Sequence, residues 1–153
     1  MNLSGTVPFT APQTAVWQSL TSPEQLCGCL PGLLDWQIVD PHHFQLQIAW
    51  PFGPPVIHDQ GGLKPIPVTI RWTQLLPPTQ LDTTAVFHLN KQQSVEINGR
   101  FTLTPLSPHT SELHFQAQIT SPNPFIYQLI RSLTPRLIDS YFTCLKQTVD
   151  THR

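Results

Sequence analysis

The stretch Val95-Glu96-Ile97-Asn98-Gly99-Arg100-Phe101-Thr102-Leu103 decides the fold class, because apolar or small residues alternate along it with polar ones. Such alternation is typical of a β-strand that has one buried face and one face in water. Strands of this kind belong to antiparallel sheets, since parallel strands covered by helices are apolar on both faces. The segment therefore predicts an antiparallel sheet with a single covered side.

Six other segments show the same alternation, so the sequence predicts a seven-stranded antiparallel sheet. The first apolar residues of these segments are Leu3, Leu34, Phe44, Val68, Leu81 and Leu113. Turn-forming sequences separate consecutive strands, among them Asp40-Pro41-His42-His43 and Pro77-Pro78-Thr79. Long strands with short connections indicate a meander.

Helices are predicted in two places. Thr10-x-x-Gln13 and Ser22-Pro23-x-Gln25 resemble capping boxes and open two short helices, over 11–20 and 23–29. A third helix, over 123–149, carries apolar residues at spacings of three and four. Pro135 lies inside it and cannot donate a backbone hydrogen bond, so we expect a kink or a break there. The arrangement that buries all these faces is an α+β fold with a curved sheet wrapped around the last helix.

The length and the charge limit the function. A chain of 153 residues fits one domain, over 1–153, and a net charge of -1 argues against nucleic-acid binding. Only 11% of the residues are charged, against about 25% in typical domains. Either a resident partner or a genome-wide composition bias explains that value. Neither a signal peptide nor an apolar run of about 20 residues is present, which predicts a cytoplasmic protein or one peripheral to a membrane.

The cysteines and histidines offer no metal or redox motif. Cys27, Cys29 and Cys144 form an odd set without a signal peptide, which predicts reduced thiols in a cytoplasm-like compartment. Cys27-x-Cys29 lacks the spacing of a redox motif, and we expect both residues to be small buried side chains. No histidine pair has a zinc-binding spacing. We expect neither a metal nor a cofactor.

The beginning of the chain resembles a known family. Four consecutive segments resemble the opening of the CoxG-like branch, which is named after a carbon monoxide dehydrogenase component. These segments are the strand over 5–9, Ala11-Pro12 followed by Val16-Trp17, Pro23-Glu24-Gln25-Leu26, and Leu30-Pro31-Gly32. That branch belongs to the START-like (SRPBCC) superfamily, whose helix-grip fold the element order resembles along nearly the whole chain. Residues 55–66 have no counterpart in the family's pattern and look like an insertion.

This resemblance implies a START-like domain with a hydrophobic-ligand pocket between the sheet and the last helix. For the CoxG-like branch it also implies association with redox-enzyme maturation or with quinone-like lipids. The same fold occurs in cyclases, lipid carriers and scaffolds, so the fold leaves the function open.

Large side chains on the predicted inner face are the candidate ligand contacts. They surround either a pocket of about 300–1,000 Å³ or a filled core, and the small residues Gly99 and Ala117 leave room for a pocket. The predicted ligand-binding residues are Trp36, Trp50, Trp72, Phe87, Phe101, Phe115, Leu129, Leu133, Leu137 and Tyr141. The irregular stretch 51–67 is a candidate lid or partner surface through Phe52, Val56 and Ile57.

Ionisable groups are nearly missing from the predicted inner faces, where Tyr141 is the one clear polar side chain on the helix. We therefore assign no catalytic residue. The first hypothesis is non-catalytic binding or carrying of a lipid- or quinone-like small molecule. The alternatives are an accessory protein that docks on a larger complex, at a membrane or in a redox system, and a cyclase-like enzyme.

Overall fold

The computed structural model describes residues 2–30, 33–49, 65–89, 94–121 and 124–151. They form seven strands and three helices. In chain order the elements are β1 (Asn2–Phe9), α1 (Gln13–Leu20), α2 (Pro23–Cys29), β2 (Leu33–Asp40), β3 (His43–Ala49), β4 (Pro65–Leu76), β5 (Gln80–His88), β6 (Ser94–Ser107), β7 (Thr110–Thr120) and α3 (Pro124–Thr151).

All seven strands belong to one sheet with the order β1-β7-β6-β5-β4-β3-β2. Every neighbouring pair is antiparallel, which confirms the predicted sheet and the meander from β2 to β7. Only β1 lies away from its successor, at the opposite edge beside β7. The short helices α1 and α2 connect the two edges.

One face of the sheet is buried and the other is in water, as the alternation predicts. On β4 the residues Ile66, Val68 and Trp72 are buried, and their polar neighbours are exposed or partly exposed. On the outer face Arg100 donates two hydrogen bonds to the Asp82 carboxylate, at 2.9 and 3.1 Å. Charged residues therefore pair on the outside, and the inner face is left apolar.

The predicted inner phase of β2 is wrong at Leu34 and holds from Trp36 to Ile38. Leu34 is 56% exposed and Ile38 is 48% exposed, whereas Trp36 packs against the core. The pairing of β2 with β3 shifts in register between Leu33 and Asp35 and again between Ile38 and Asp40. The first shift pairs Leu33 with Ile48 and leaves Leu34 as an extra residue outside the inner phase. Ile38 pairs with the buried Phe44 and keeps the inner phase, but it lies on the edge strand of the sheet and is half exposed there.

The helix boundaries agree with the predictions to within about two residues. Of the two predicted N-caps, the one on α1 is wrong and the one on α2 is confirmed. Thr10 does not cap α1; Pro12 occupies the N-cap, and the side-chain amide of Gln13 donates to the Leu103 carbonyl at 3.0 Å. The Ser22 cap on α2 is confirmed, since its hydroxyl accepts from the Gln25 backbone amide.

The long helix α3 continues through Pro135, so the expected break does not occur. A proline inside a helix costs about 3 kcal/mol. Beyond it, Phe142, Leu145 and Val149 are buried, each contributing about 1.5–3 kcal/mol by burial. The burial of the second half of the helix outweighs the cost of the proline.

The prediction of three reduced thiols is wrong. Cys29 and Cys144 form a disulfide that joins α2 to α3, with their Cα atoms 5.4 Å apart and a sequence separation of 115. Cys27 stays free and buried. The pairing is a product of the tertiary fold, and a count of cysteines does not reveal it.

Four residues of the sequence predictions, Trp50, Phe52, Val56 and Ile57, lie outside the described residues. In the described ranges no helix is long and apolar enough to cross a bilayer.

Ser111 joins the sheet to the segment before α1 and is a direct test of this fold. Ser111 is only 1% exposed, and its hydroxyl donates a hydrogen bond to the Ala11 carbonyl at 2.8 Å. Ser111→Ala leaves that buried carbonyl without its partner, so we expect the free energy of unfolding in urea to fall by about 1–3 kcal/mol. The exposed Ser4→Ala on β1 is the matched control. Equal stability of the two variants would contradict this assignment.

Candidate functional site

A cavity of about 230 Å³ lies between the inner face of the sheet and α3. Its sheet side is formed by a row of small residues, Thr83, Gly99 and Ala117, which are direct cross-strand partners on β5, β6 and β7. Cross-strand partners lie only about 4.5–5.5 Å apart, so three small side chains in line leave a continuous empty strip. This small-residue row is the local origin of the cavity.

Aromatic rings close one side of the cavity. Phe115 on β7 stacks on Phe142 of α3, with ring centroids 5.4 Å apart and planes 28° apart. Phe101, the cross-strand partner of Phe115, meets the same ring edge-on at 6.2 Å. Gly5 lies opposite Phe115 on β1, and a Cβ there would fall 2.7 Å from the end of the Phe115 ring. The glycine makes space for the ring.

The short helices complete the cavity, which the sequence reasoning missed. Leu20 of α1 and Leu26 of α2 line it, as does Leu30 at the C-cap of α2. Phe142 was missed too, because it lies one position beyond Tyr141 in the predicted stripe. The i, i+4 spacing of Leu26 and Leu30 was the available signal, since such residues share one helix face.

Half of the predicted ligand-binding residues line the cavity: Trp72, Phe101, Phe115, Leu137 and Tyr141. Trp36 and Phe87 pack against the core but do not line the cavity. Trp50 and the side chains of Leu129 and Leu133 are outside what the structure describes. The cavity is smaller than the predicted range of about 300–1,000 Å³.

The cavity is almost purely apolar. Tyr141 is the only ionisable residue among the described ones that line it, and burial, with a smaller contribution from nearby Cys27, raises the pKa of its hydroxyl. The hydroxyl therefore stays protonated at neutral pH and is available as a hydrogen-bond donor. Thr83 also lines the cavity, but its hydroxyl already donates to the Arg71 carbonyl at 3.1 Å. Gln116 and Thr134 are the other polar residues of the lining. The site can enclose an apolar molecule, with the Tyr141 hydroxyl as the one ionisable group of its described lining.

Metal chemistry has no support in the described ranges, where no three potential ligand side chains lie together. Cys27 is close to the cavity, but burial and, to a lesser extent, Glu24 raise the pKa of its thiol to about 11. A thiol with such a pKa is a poor nucleophile at neutral pH.

No family model matches this sequence, and no curated protein matches it either. Solved structures do. A START superfamily protein from Mycobacterium smegmatis matches with a TM-score of 0.73 and 14% identity, over 99% of both chains. The chain has the START-like helix-grip fold.

Two further structures share this START-like fold. A conserved protein from Geobacillus kaustophilus matches with a TM-score of 0.81 and 15% identity, over 99% of this chain and 96% of that one. The Zhui aromatase/cyclase from a Streptomyces species matches with a TM-score of 0.73 and 11% identity, over 98% of this chain and 93% of that one. Identities this low show a common fold and leave the function open.

The Gly5–Phe115 contact gives a prediction about the cavity. In Gly5→Ala the new methyl group overlaps the Phe115 ring, which cannot move away without disturbing its stack on Phe142. We expect a loss of about 1–3 kcal/mol in the free energy of unfolding, as in other overpacked cores.

The matched control is Gly28→Ala on α2, where a Cβ meets nothing within 4 Å. Its stability should stay unchanged or rise by up to about 1 kcal/mol, because alanine favours helix. Denaturant unfolding monitored by circular dichroism compares the two variants. A Gly5→Ala variant as stable as the wild type would contradict the described packing.

Proposed function

We propose that this START-like domain binds and carries an apolar small molecule in the cavity without catalysing a reaction on it. The observation that supports this best is the lining of the cavity, which combines apolar side chains with a single titratable hydroxyl, that of Tyr141. A lining of this kind supplies affinity by burial and specificity by one hydrogen bond.

The energetics favour a compact ligand. Burial of about 400 Å² of ligand surface contributes roughly 10 kcal/mol. Association costs at least about 4 kcal/mol, which leaves about 6 kcal/mol, or a Kd of tens of micromolar. A cavity of about 230 Å³ suits a ligand with one to three rings or a short chain better than a two-chain lipid. The resemblance of residues 5–32 to the CoxG-like branch makes a quinone-like ring a first candidate.

A cyclase-like activity is the second candidate, since the Zhui aromatase/cyclase has the same fold. Cyclisation needs groups that move protons near neutral pH. Tyr141, with its raised pKa, is a poor general base, and the described part of the lining offers no carboxylate, imidazole or amine beside it. The carrier function therefore fits the site better.

An accessory function in a larger complex is the third candidate. Leu34, Ile38 and Val39 on the edge strand β2 are each about half exposed, at 56%, 48% and 49%. Exposed apolar side chains on an unpaired edge strand are a surface on which another protein can dock. This candidate would be preferred if a variant with a filled cavity kept its biological function.

A cavity-filling variant tests the carrier function. Ala117→Leu adds an isopropyl group to the small-residue row, so we expect the Kd for N-phenyl-1-naphthylamine, an apolar fluorescent dye, to rise at least about tenfold, or 1.4 kcal/mol. Gln118→Leu puts the same side chain on the outer face of β7, one residue further along, and should leave the Kd unchanged. Equal binding by both variants would show that the dye lies elsewhere.

A second variant tests the hydrogen bond from Tyr141. Tyr141→Phe should weaken binding of prodan, a naphthalene dye that carries a ketone, by roughly fivefold, because one hydrogen bond is worth about 1 kcal/mol. Binding of N-phenyl-1-naphthylamine, which lacks a carbonyl, should not change. An equal loss for both dyes would mean that Tyr141 acts only by packing.

A further inference from the structure

The disulfide lies beside the cavity and connects two of the elements that line it. Cys29 is the last residue of α2, next to Leu30 and three residues after Leu26. Both leucines line the cavity. Cys144 lies on α3, two residues after Phe142, which also lines the cavity. The bond therefore holds the α2 side of the cavity against its α3 side.

Apart from this bond, α2 is held by packing against α1, α3 and β2. It is a helix of seven residues that belongs to no sheet, and isolated helices of that length are unstable in water. Its described anchors are the Ser22 cap, the buried Cys27 and the two partly buried leucines. A short element with few anchors is the kind that opens locally while the rest of a domain stays folded.

The disulfide is partly exposed through one of its two residues. Cys29 is only 6% exposed, whereas Cys144 is partly exposed. Gly28, next to Cys29, is exposed, and a Cβ built on it meets no atom within 4 Å. The surface beside Cys29 is therefore open at Gly28, and Cys144 is the more exposed of the two bonded residues.

We infer that the Cys29–Cys144 disulfide is a redox-modification site that controls access to the cavity by restraining α2. In the oxidised protein α2 is fixed to α3 and ligand exchange is slow. In the reduced protein α2 can move away from α3, and Leu26 and Leu30 uncover the cavity. The effect on ligand rests on the proposed carrier function, whereas the release of α2 does not.

The reductant is a dithiol, and the chemistry is ordinary thiol–disulfide exchange. One thiolate of the dithiol attacks Sγ of Cys144, the S–S bond breaks, and its electron pair leaves on Sγ of Cys29, which takes up a proton. The second thiol then displaces Sγ of Cys144 from the mixed disulfide. Two electrons pass to the protein, both cysteines become thiols, and the dithiol becomes a disulfide.

The experiment compares the oxidised full chain with the same protein reduced by dithiothreitol. Intact mass under denaturing conditions reports the bond, because reduction adds the mass of two hydrogen atoms. Stopped-flow fluorescence gives the association rate of N-phenyl-1-naphthylamine, and hydrogen exchange reports the opening of α2. We expect reduction to raise the association rate about tenfold, equivalent to about 1.4 kcal/mol of opening free energy, and to speed exchange in α2.

Two variants separate the disulfide from the third cysteine. The double variant Cys29→Ser, Cys144→Ser should bind dye at the fast rate with or without reductant. Cys27→Ser keeps the disulfide and should respond to reductant as the wild type does. If Cys27→Ser alone abolished the response, the buried thiol would be the sensor and the inference would be overturned.

The remaining outcomes are distinguishable. Equal dye rates and equal α2 exchange in both redox forms, with the disulfide confirmed by mass, overturn the inference. The inference is also overturned if Cys29 and Cys144 form no disulfide when the protein is treated with an oxidant. If neither form binds the dye but reduction still speeds α2 exchange, the carrier function fails and the restraint on α2 is supported.

Discussion

The contact between Phe115 on β7 and Phe142 on α3 determines how closely the last helix can approach the sheet, and the rest of the structure depends on that distance. The rings stack at 5.4 Å, and the Phe115 ring fits only because Gly5 has no Cβ. Beside this aromatic contact runs the small-residue row of Thr83, Gly99 and Ala117. The helix is held away from the row by the rings, so the space between them is left empty.

The same geometry limits the chemistry. A space enclosed by a sheet on one side and α3 on the other excludes charged groups, because burying an unpaired charge is costly. Charges lie instead on the outer face, as in the Asp82–Arg100 pair. What is left inside is Tyr141, protonated because burial raises its pKa. The described lining is therefore suited to an apolar molecule, as the proposed carrier function requires.

Strict alternation along β4 to β7 allowed the sheet, its inner face and three cavity residues to be predicted, because a period of two assigns each side chain to a face. The cavity residues Leu137 and Tyr141 were predicted from the helical spacing of three and four along α3. The predicted phase was wrong at Leu34 on β2, where a register shift leaves this residue outside the inner face. The i, i+4 spacing of Leu26 and Leu30 indicates a shared helix face, but neither the cavity that this face meets nor the Cys29–Cys144 bond was predictable in this way. Both depend on how α2 lies against α3, and local periodicity contains no information about long-range packing.

Xenon binding tests the central claim, that an apolar cavity lies between the small-residue row and α3. Xenon occupies dry apolar cavities and is not attracted to polar, water-filled ones. A crystal of the protein pressurised with xenon should show a xenon atom between Gly99, Ala117 and Leu137. Density for ordered water in that position, or side chains that fill it, would contradict the account.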